Sequence, residues 1–228
     1  MRLIDRAIYK FFKAERTYSQ AGEDRLLSFL FNSFDKSKIS YLDIGTNHPF
    51  MGNNTYLFYR NGGSGVCVEP NSELSKLIRK LRPRDTCLNI GVGERENDVV
   101  DFYLMSSHGL STFSKEDAEE LDAAGKYKIK DVQKIPVRTV NSIIEENFDV
   151  PIDLVSIDVE GWNEEIVRSF DFSKNRPFCF CVETITFSED HTERKLTDIF
   201  DVFAKNDYSV YADTHLNTIF LRNDSMRK

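Results

Sequence analysis

Apolar residues recur along this chain in two alternating rhythms. Five runs, ISYLDI (39–44), GVCVE (65–69), TCLNI (86–90), DLVSIDV (153–159) and FCFCVE (178–183), have strand length and are too uniformly apolar to leave one face in water. Between them the apolar positions fall three and four apart, which predicts helices over 55–61, 72–81, 139–147, 162–170 and 192–206. The 72–81 stretch carries Leu74, Leu77, Ile78 and Leu81 on one face; the last stretch carries Leu196, Ile199, Phe200 and Phe203. Strands alternating with helices predict an open α/β sheet of parallel strands joined by right-handed crossovers. The end of the chain breaks the rule. YSVYAD (208–213) and NTIFLRN (217–223) are separated by three residues, too few for a crossover, so they predict an antiparallel hairpin.

Two segments stand outside this alternation. In the first sixteen residues Leu3, Ile4, Ala7, Ile8, Phe11 and Phe12 repeat at helical spacing, with Arg2, Arg6, Lys10 and Lys13 on other faces. That is a helix docked on the body, or a basic amphipathic helix lying on a membrane surface through residues 1–16. A second helix follows Gly22 with Leu26, Leu27, Leu30 and Phe34 inward, so 1–38 reads as a helical extension of a domain spanning 39–228. Residues 91–138 form an insertion: a strand-like VVDFYLM, a GLSTFSK loop, a charged helix from Lys115 and a strand-like VQKIPVRT. Such an insertion is either a surface elaboration or a cover over a substrate.

Composition narrows the function classes. A chain of 228 residues with 40% hydrophobic and 29% charged residues, eighteen of them Phe, has material for one sizeable core. The net charge of −7 argues against a partner held mainly through phosphates, so nucleic acid is not the expected substrate. Cys67, Cys87, Cys179 and Cys181 all fall inside strand-like runs and read as small buried hydrophobes rather than zinc ligands. No stretch approaches the roughly 20 apolar residues of a membrane span, and the N-terminal segment lacks the apolar run of a signal peptide. A reducing, cytoplasmic setting is expected.

In an open parallel sheet, ligands sit at the carboxyl ends of the strands where strand order reverses. The first strand ends in YLDIGTNHPFMGNNT (41–55), and Gly45 there permits positive φ and close backbone approach. The loop is neither GxGxxG nor GxxxxGK[ST], so the expected ligand carries no pyrophosphate. Glu69 ends the second strand, where a carboxylate faces the two hydroxyls of a ribose, each hydrogen bond contributing about 1.5–3 kcal/mol before desolvation. The plainer alternative is a solvated Glu69 or a cap for the 72–81 helix. With Asn89 ending the third strand and Asp158 the fourth, the set describes the S-adenosylmethionine pocket of a Rossmann-like methyltransferase.

The sequence resembles the FkbM-type S-adenosylmethionine-dependent methyltransferases from about Tyr18 to Leu221. YSQAGEDRLL (18–27), LDIGTNHPFMGNNTYLFY (42–59), GVCVEPN (65–71), STF (111–113), VRTVNSII (137–144), VET (182–184) and above all DLVSIDVEGWNEEIVRSFDF (153–172) carry the resemblance. It implies a Rossmann-like α/β fold with a seven-stranded, mostly parallel sheet, an antiparallel last strand and helices on both faces. It also implies O-methylation of a hydroxyl on a sugar, glycan or related natural product. His48-Pro49 departs from the family, many members of which have a glycine-containing turn there. By position, the resemblance assigns Asp43, Gly45 and Asn47 to the methionine part of the cofactor, Glu69 to the ribose and Asn89 to the adenine side. Asp158 falls to the methionine amine or the reaction centre. Asn54 and Thr55 reach the cofactor carboxylate or cap the helix that starts there. Gln20, Glu23 and Asp24 close over the cofactor, or Glu23 and Asp24 cap a helix.

Methyl transfer needs an acceptor oxygen held in line and a base to take its proton. Asp158, Glu160 and Glu183 lie at the ends of the two strands that flank the crevice, and His191 follows the fifth strand; these are the candidate bases. His108, beside the GLSTF stretch, is the histidine best placed to touch an acceptor. The carboxylates leave room for magnesium as an auxiliary ion, with no residue assigned as its ligand. Two rival readings are a cofactor-binding interaction module without catalysis and an NAD(P)-dependent oxidoreductase; the second conflicts with the missing pyrophosphate loop. The oligomeric state is not written in the sequence.

Overall fold

The structure is a computed structural model describing residues 16–159, 161–186 and 192–227. The amphipathic pattern of residues 1–15 and the candidate bases Glu160 and His191 lie outside the described residues. In chain order the elements are α1 (Glu23–Ser33), β1 (Ser40–Ile44), α2 (Tyr56–Arg60), β2 (Ser64–Val68), α3 (Ser72–Leu81), β3 (Thr86–Leu88) and β4 (Gly91–Val92). There follow β5 (Asp98–Met105), α4 (Lys115–Ala123), β6 (Ile129–Arg138), α5 (Val140–Asn147), β7 (Leu154–Ile157) and α6 (Asn163–Ser169). The chain closes with β8 (Cys179–Glu183), α7 (Thr197–Lys205), β9 (Tyr208–Asp213) and β10 (Asn217–Arg222).

Seven strands form one sheet in the order β3-β2-β1-β7-β8-β10-β9. All neighbours are parallel except β10, which runs antiparallel to both β8 and β9. The chain steps outward from β1 through β2 to β3, then returns to β7 on the other side of β1, so strand order reverses between β1 and β7. This is a Rossmann-like α/β fold, and the predicted hairpin is the β9–β10 pair.

Strand residues alternate between two cores, as a pleated sheet requires. Leu42, Ile44, Val155, Ile157, Phe180 and Val182 face α5, α6 and α7. Tyr41, Leu154, Cys179, Cys181, Ile219 and Leu221 face α1 and α2. α1 therefore packs directly on the sheet through Leu27, Leu30 and Phe31. All four cysteines are free and buried, as their strand positions predicted. α3 starts where Asn71 accepts the backbone N–H groups of Glu73 (2.9 Å) and Leu74 (3.3 Å). Among the described residues no helix is long and apolar enough to cross a membrane.

The pattern places one helix start too early, while the strands and the helix that it reads inside 91–138 are present. α7 begins at Thr197, not 192, because the backbone first runs back along the residues that follow β8: Lys195 bridges Ile185, and Leu196 N–H donates to Thr184 O at 2.8 Å. The 91–138 insertion is a second, three-stranded sheet, β4-β6-β5, with β5 and β6 antiparallel over eight register pairs. Its return end is pinned where the Glu96 carboxylate accepts from Thr139 N–H (2.9 Å) and Ser142 Oγ (2.7 Å) and pairs with Arg138.

Beneath the β1 end lies a buried charge that the hydrophobic pattern does not announce. Arg82 is fully buried. Its Nε donates to Asp85 Oδ2 at 2.7 Å, Nη2 donates to Thr55 Oγ1 at 2.9 Å and Nη1 donates to Asn53 Oδ1 at 3.3 Å. Asp43 Oδ2 lies 3.7 Å from Nη1. Asp85 in turn accepts from Tyr41 Oη (2.9 Å) and Gly65 N–H (3.0 Å). Removing one member of such a buried set leaves the others as unpaired charges, which is far costlier than never having buried them. Arg82→Leu is expected to lower the unfolding free energy by about 3–5 kcal/mol in urea titrations. Arg82→Lys, which keeps charge but loses the planar fork, should fall between variant and parent. A loss below about 1 kcal/mol for the Leu variant would show the guanidinium to be dispensable.

Candidate functional site

Three strand ends build the crevice. Gly45 follows β1 at φ +78°, and a Cβ there would lie 1.8 Å from the Asp158 carbonyl oxygen, so only glycine fits between the two strand ends. Backbone bonds seal the junction: Gly45 N–H and Thr46 N–H both donate to Val68 O (3.0 and 3.1 Å), and Asp158 N–H donates to Ile44 O (3.0 Å). The chain then turns through Asn47 at φ +52°, a conformation Asn tolerates. His48 shapes the next turn, its Nδ1 accepting from Phe50 N–H (3.3 Å) and Met51 N–H (3.2 Å). The departure His48-Pro49 thus supplies its own turn geometry in place of a glycine.

Glu69, one residue past β2, is buried and holds two loops together. Its Oε2 accepts from Asn47 N–H at 2.7 Å and its Oε1 from Asn71 N–H at 2.8 Å. Burial pushes this carboxyl up to about 7 against the pull of those two N–H groups, with the Asp43 charge adding to the rise. Asp158 and Glu183 are the next pair after the register partners Ile157 and Val182, so their side chains leave adjacent strand ends on one face. Asp158 is raised to about 6 by burial and by the charge of Asp43, a hydrogen bond with Glu183 opposing the rise.

Together these ends open into a cleft whose empty space is about 790 Å³ with the open solvent at its mouth included. Gln20, Gly45, Asn47, Glu69, Asp158 and Glu183 line its polar side. Ile90, Val92, Phe102, Phe113 and Val159 form an apolar wall, much of it from the insertion. Phe113 packs at 4.7 Å from both Phe102 and Trp162, which fixes the insertion's sheet to the start of α6. His108, Gly109 and Ser111 complete the rim, with His108 Nδ1 at 3.4 Å from Asn71 Nδ2. No Lys or Arg lines the cavity among the described residues.

Other residues singled out in the sequence stand behind this lining. Asp43 accepts from Thr55 Oγ1 (2.7 Å) and Asn53 Nδ2 (3.2 Å), and burial holds its carboxyl above the usual range despite Arg82. Thr55 is thereby occupied with Asp43 and Arg82, and the first N–H groups of α2 are met by Asn53 Oδ1 at 3.0 and 2.7 Å. Asn54 Nδ2 donates to Ser156 Oγ at 3.3 Å. Asn89 Nδ2 donates to Glu69 O (2.9 Å) and Pro70 O (2.7 Å), bracing the turn that presents Glu69. Glu23 and Asp24 fold the turn that carries Gln20: Glu23 accepts from Ala21 N–H (2.9 Å), Thr214 Oγ1 (2.7 Å) and Asn217 Nδ2 (3.1 Å). Asp24 accepts from Tyr18 N–H (2.8 Å) and Thr17 Oγ1 (2.7 Å). The apolar wall, Arg82 and Asn163 escaped the sequence reading; Arg82-Pro-Arg-Asp85, an Arg three residues before an Asp, was the one available signal for the buried pair.

The chemistry of the lining tests whether an adenosyl sulfonium suits it. An apolar, aromatic wall accepts a planar base, and a polar side with three carboxylates and no cation attracts a positively charged group while repelling a pyrophosphate. Among the described residues no group of three or more His, Cys, Asp or Glu is placed to hold a metal ion.

A comparison with curated proteins finds no match. Among solved structures, the chain is similar to the methyltransferase FkbM from Methylobacillus flagellatus KT, with 15% identity, 81% of this chain covered and a TM-score of 0.46. It spans 43% of the length of that protein. It is similar also to a putative O-methyltransferase from Klebsiella pneumoniae, at 12% identity over 96% of each chain with a TM-score of 0.46. The O-methyltransferase from Bacillus cereus in complex with SAH matches at 13% identity over 95% of this chain and 94% of that one, with a TM-score of 0.41. Residues 43–210 match the family described as the methyltransferase FkbM domain, the stretch that runs from the end of β1 through the Glu69 turn, the insertion and the Asp158–Glu183 pair, and the chain belongs to that family.

Proposed function

We propose that this chain transfers a methyl group from S-adenosylmethionine to a hydroxyl oxygen of a sugar, glycan or related natural product. The observation that carries the reading is the cavity at the β1–β7 reversal, with Glu69, Asp158 and Glu183 on one side, an aromatic wall on the other and no basic lining residue. The sugar-type acceptor rests on the resemblance to FkbM-type enzymes. The buried free thiols fit a reducing, cytoplasmic setting.

When bound, S-adenosylmethionine supplies an electrophilic methyl group on a sulfonium sulfur. Glu69 is the residue for the ribose hydroxyls, Asn47 and Gln20 for the methionyl part, and the wall of Ile90, Val92, Phe102 and Phe113 for the base. Asp158 stands at the reaction centre. Its carboxylate would take the acceptor's hydroxyl proton and pass it on to solvent. A carboxyl raised to about 6 is mostly ionised at neutral pH yet more basic than an ordinary aspartate, the compromise a general base needs.

Purified protein incubated with isotope-labelled methyl donor and a panel of methyl glycosides is expected to yield labelled methyl ethers. Asp158→Asn should reduce transfer by on the order of 10²- to 10⁴-fold while leaving S-adenosylhomocysteine binding measurable by calorimetry. Full activity in that variant removes Asp158 from the base's role. The rate should climb with pH through about 6 as Asp158 loses its proton; a flat acid limb between pH 5 and 7 contradicts this.

Stability should move the other way. Folding raises Glu69 to about 7 and Asp158 to about 6, above unfolded values near 4. The folded chain therefore keeps protons that the unfolded chain has released, a stabilisation complete below about pH 4 and lost as pH rises through 6 and 7. Protein freed of adenosyl compounds should lose urea resistance between about pH 5 and 8, and Asp158→Asn should lose less of it. Parallel curves for parent and variant would contradict the raised Asp158.

A further inference from the structure

Asn163 opens α6, is buried, and makes hydrogen bonds with both halves of its amide. Its Oδ1 accepts from Val159 N–H at 2.7 Å, the amide that follows Asp158. Its Nδ2 donates to Glu183 Oε2 at 3.0 Å and to Glu183 O at 3.2 Å. The partners fix the orientation of the amide: only the oxygen can meet an N–H donor, and only the nitrogen can meet a carboxylate. One side chain thus brackets the ends of two neighbouring strands at the point where their carboxyl groups enter the cavity.

We propose that Asn163 is a positioning residue, aiming the Glu183 carboxylate at Asp158 and tying it to the turn after β7, so that the two carboxyl groups work as one proton-accepting pair. The proposal rests on the methyltransferase reading above. Two carboxyl groups side by side in a cavity do not both ionise easily, and a fixed donor on one of them decides which holds the proton. The Nδ2–H on Glu183 favours the ionised form of that group, and so biases where the pair's shared proton rests. Among the described residues, the other carboxylates whose charge reaches Asp158 are Asp43, at the end of β1, and Glu23, at the start of α1. Each is held by its own donors, Asp43 by Thr55, Asn53 and Arg82, Glu23 by Thr214 and Asn217. Neither bonds to Asn163, so changing Asn163 isolates the pair.

The experiment compares the parent with Asn163→Ala and with Asn163→Asp, which keeps the acceptor on Val159 N–H and turns an oxygen toward Glu183. In full-length protein carrying ¹³C-labelled Asp and Glu carboxyls, assigned through Asp158→Asn and Glu183→Gln, the two resonances are followed with pH in the absence of adenosyl ligand. Loss of the donor should make Glu183 titrate at higher pH and Asp158 at lower pH, a reciprocal exchange that mere loosening of the fold does not produce. Calorimetric affinity for S-adenosylhomocysteine should stay within about threefold, whereas kcat with an active acceptor falls about 10²-fold with KM little changed. Unchanged titration of both carboxyls in both variants overturns the proposal, as does a loss confined to cofactor affinity. Absence of any methyl transfer by the parent would count against the methyltransferase reading alone; the titration would still decide the role of Asn163.

Discussion

A guanidinium buried under the first strand governs the shape of everything above it. Arg82 draws Asp43, Asn53, Thr55 and Asp85 toward one point; Asp43 belongs to β1 itself and Asn53 and Thr55 to the loop that leaves it. With its start and finish pinned, that loop has little freedom left: Asn53 Nδ2 also donates to Thr46 O at 3.1 Å, and Asn47 is delivered to Glu69. The carboxylate thought of as a ligand group is thereby also a structural clasp. Desolvating a guanidinium is expensive, and it is offset here because every nitrogen finds an oxygen and the pairing is shared by two aspartates. Such a centre specifies one loop conformation more sharply than an apolar plug could, since any other path strands a charge.

From that fixed loop follows the electrostatic character of the crevice. Glu69, Asp158 and Glu183 line one side with no Lys or Arg among the described lining residues. The raised carboxyls at 69 and 158 record the cost of burying carboxylates, to which the nearby charge of Asp43 adds. A site built this way is incomplete without positive charge, and a sulfonium answers that need whereas a pyrophosphate aggravates it. Asp43 contributes from behind: its charge raises both groups while its own side chain stays bonded to Thr55 and Asn53.

The sheet was legible because its central strands are buried on both faces and therefore spell themselves as uninterrupted apolar runs. The three-residue gap before Asn217 was equally explicit about the hairpin. Within 91–138 the two long strands and the helix were legible, but not their separate sheet: β4 needs β6, forty-odd residues on, and its two residues have no pattern of their own. Of the residues that line the cavity, those at strand ends stand out by position alone, Gly45, Glu69 and Asp158 among them. Asn163 and Arg82 do not, since their significance lies in bonds to partners 20 to 39 positions away. Asp43, Thr55 and Asn89 illustrate the converse: polar residues beside a strand end stand out in sequence whether they face the ligand or the scaffold behind it.

The central claim is that this crevice takes a phosphate-free adenosyl cation. Calorimetric titration of the purified chain with S-adenosylmethionine, S-adenosylhomocysteine and NAD at neutral pH addresses it most directly. The account predicts saturable binding of both adenosyl ligands, tighter for the sulfonium than the neutral thioether once pH exceeds the Asp158 titration, and no heat from NAD. Saturable NAD binding, or silence from S-adenosylmethionine at millimolar concentration, would contradict it.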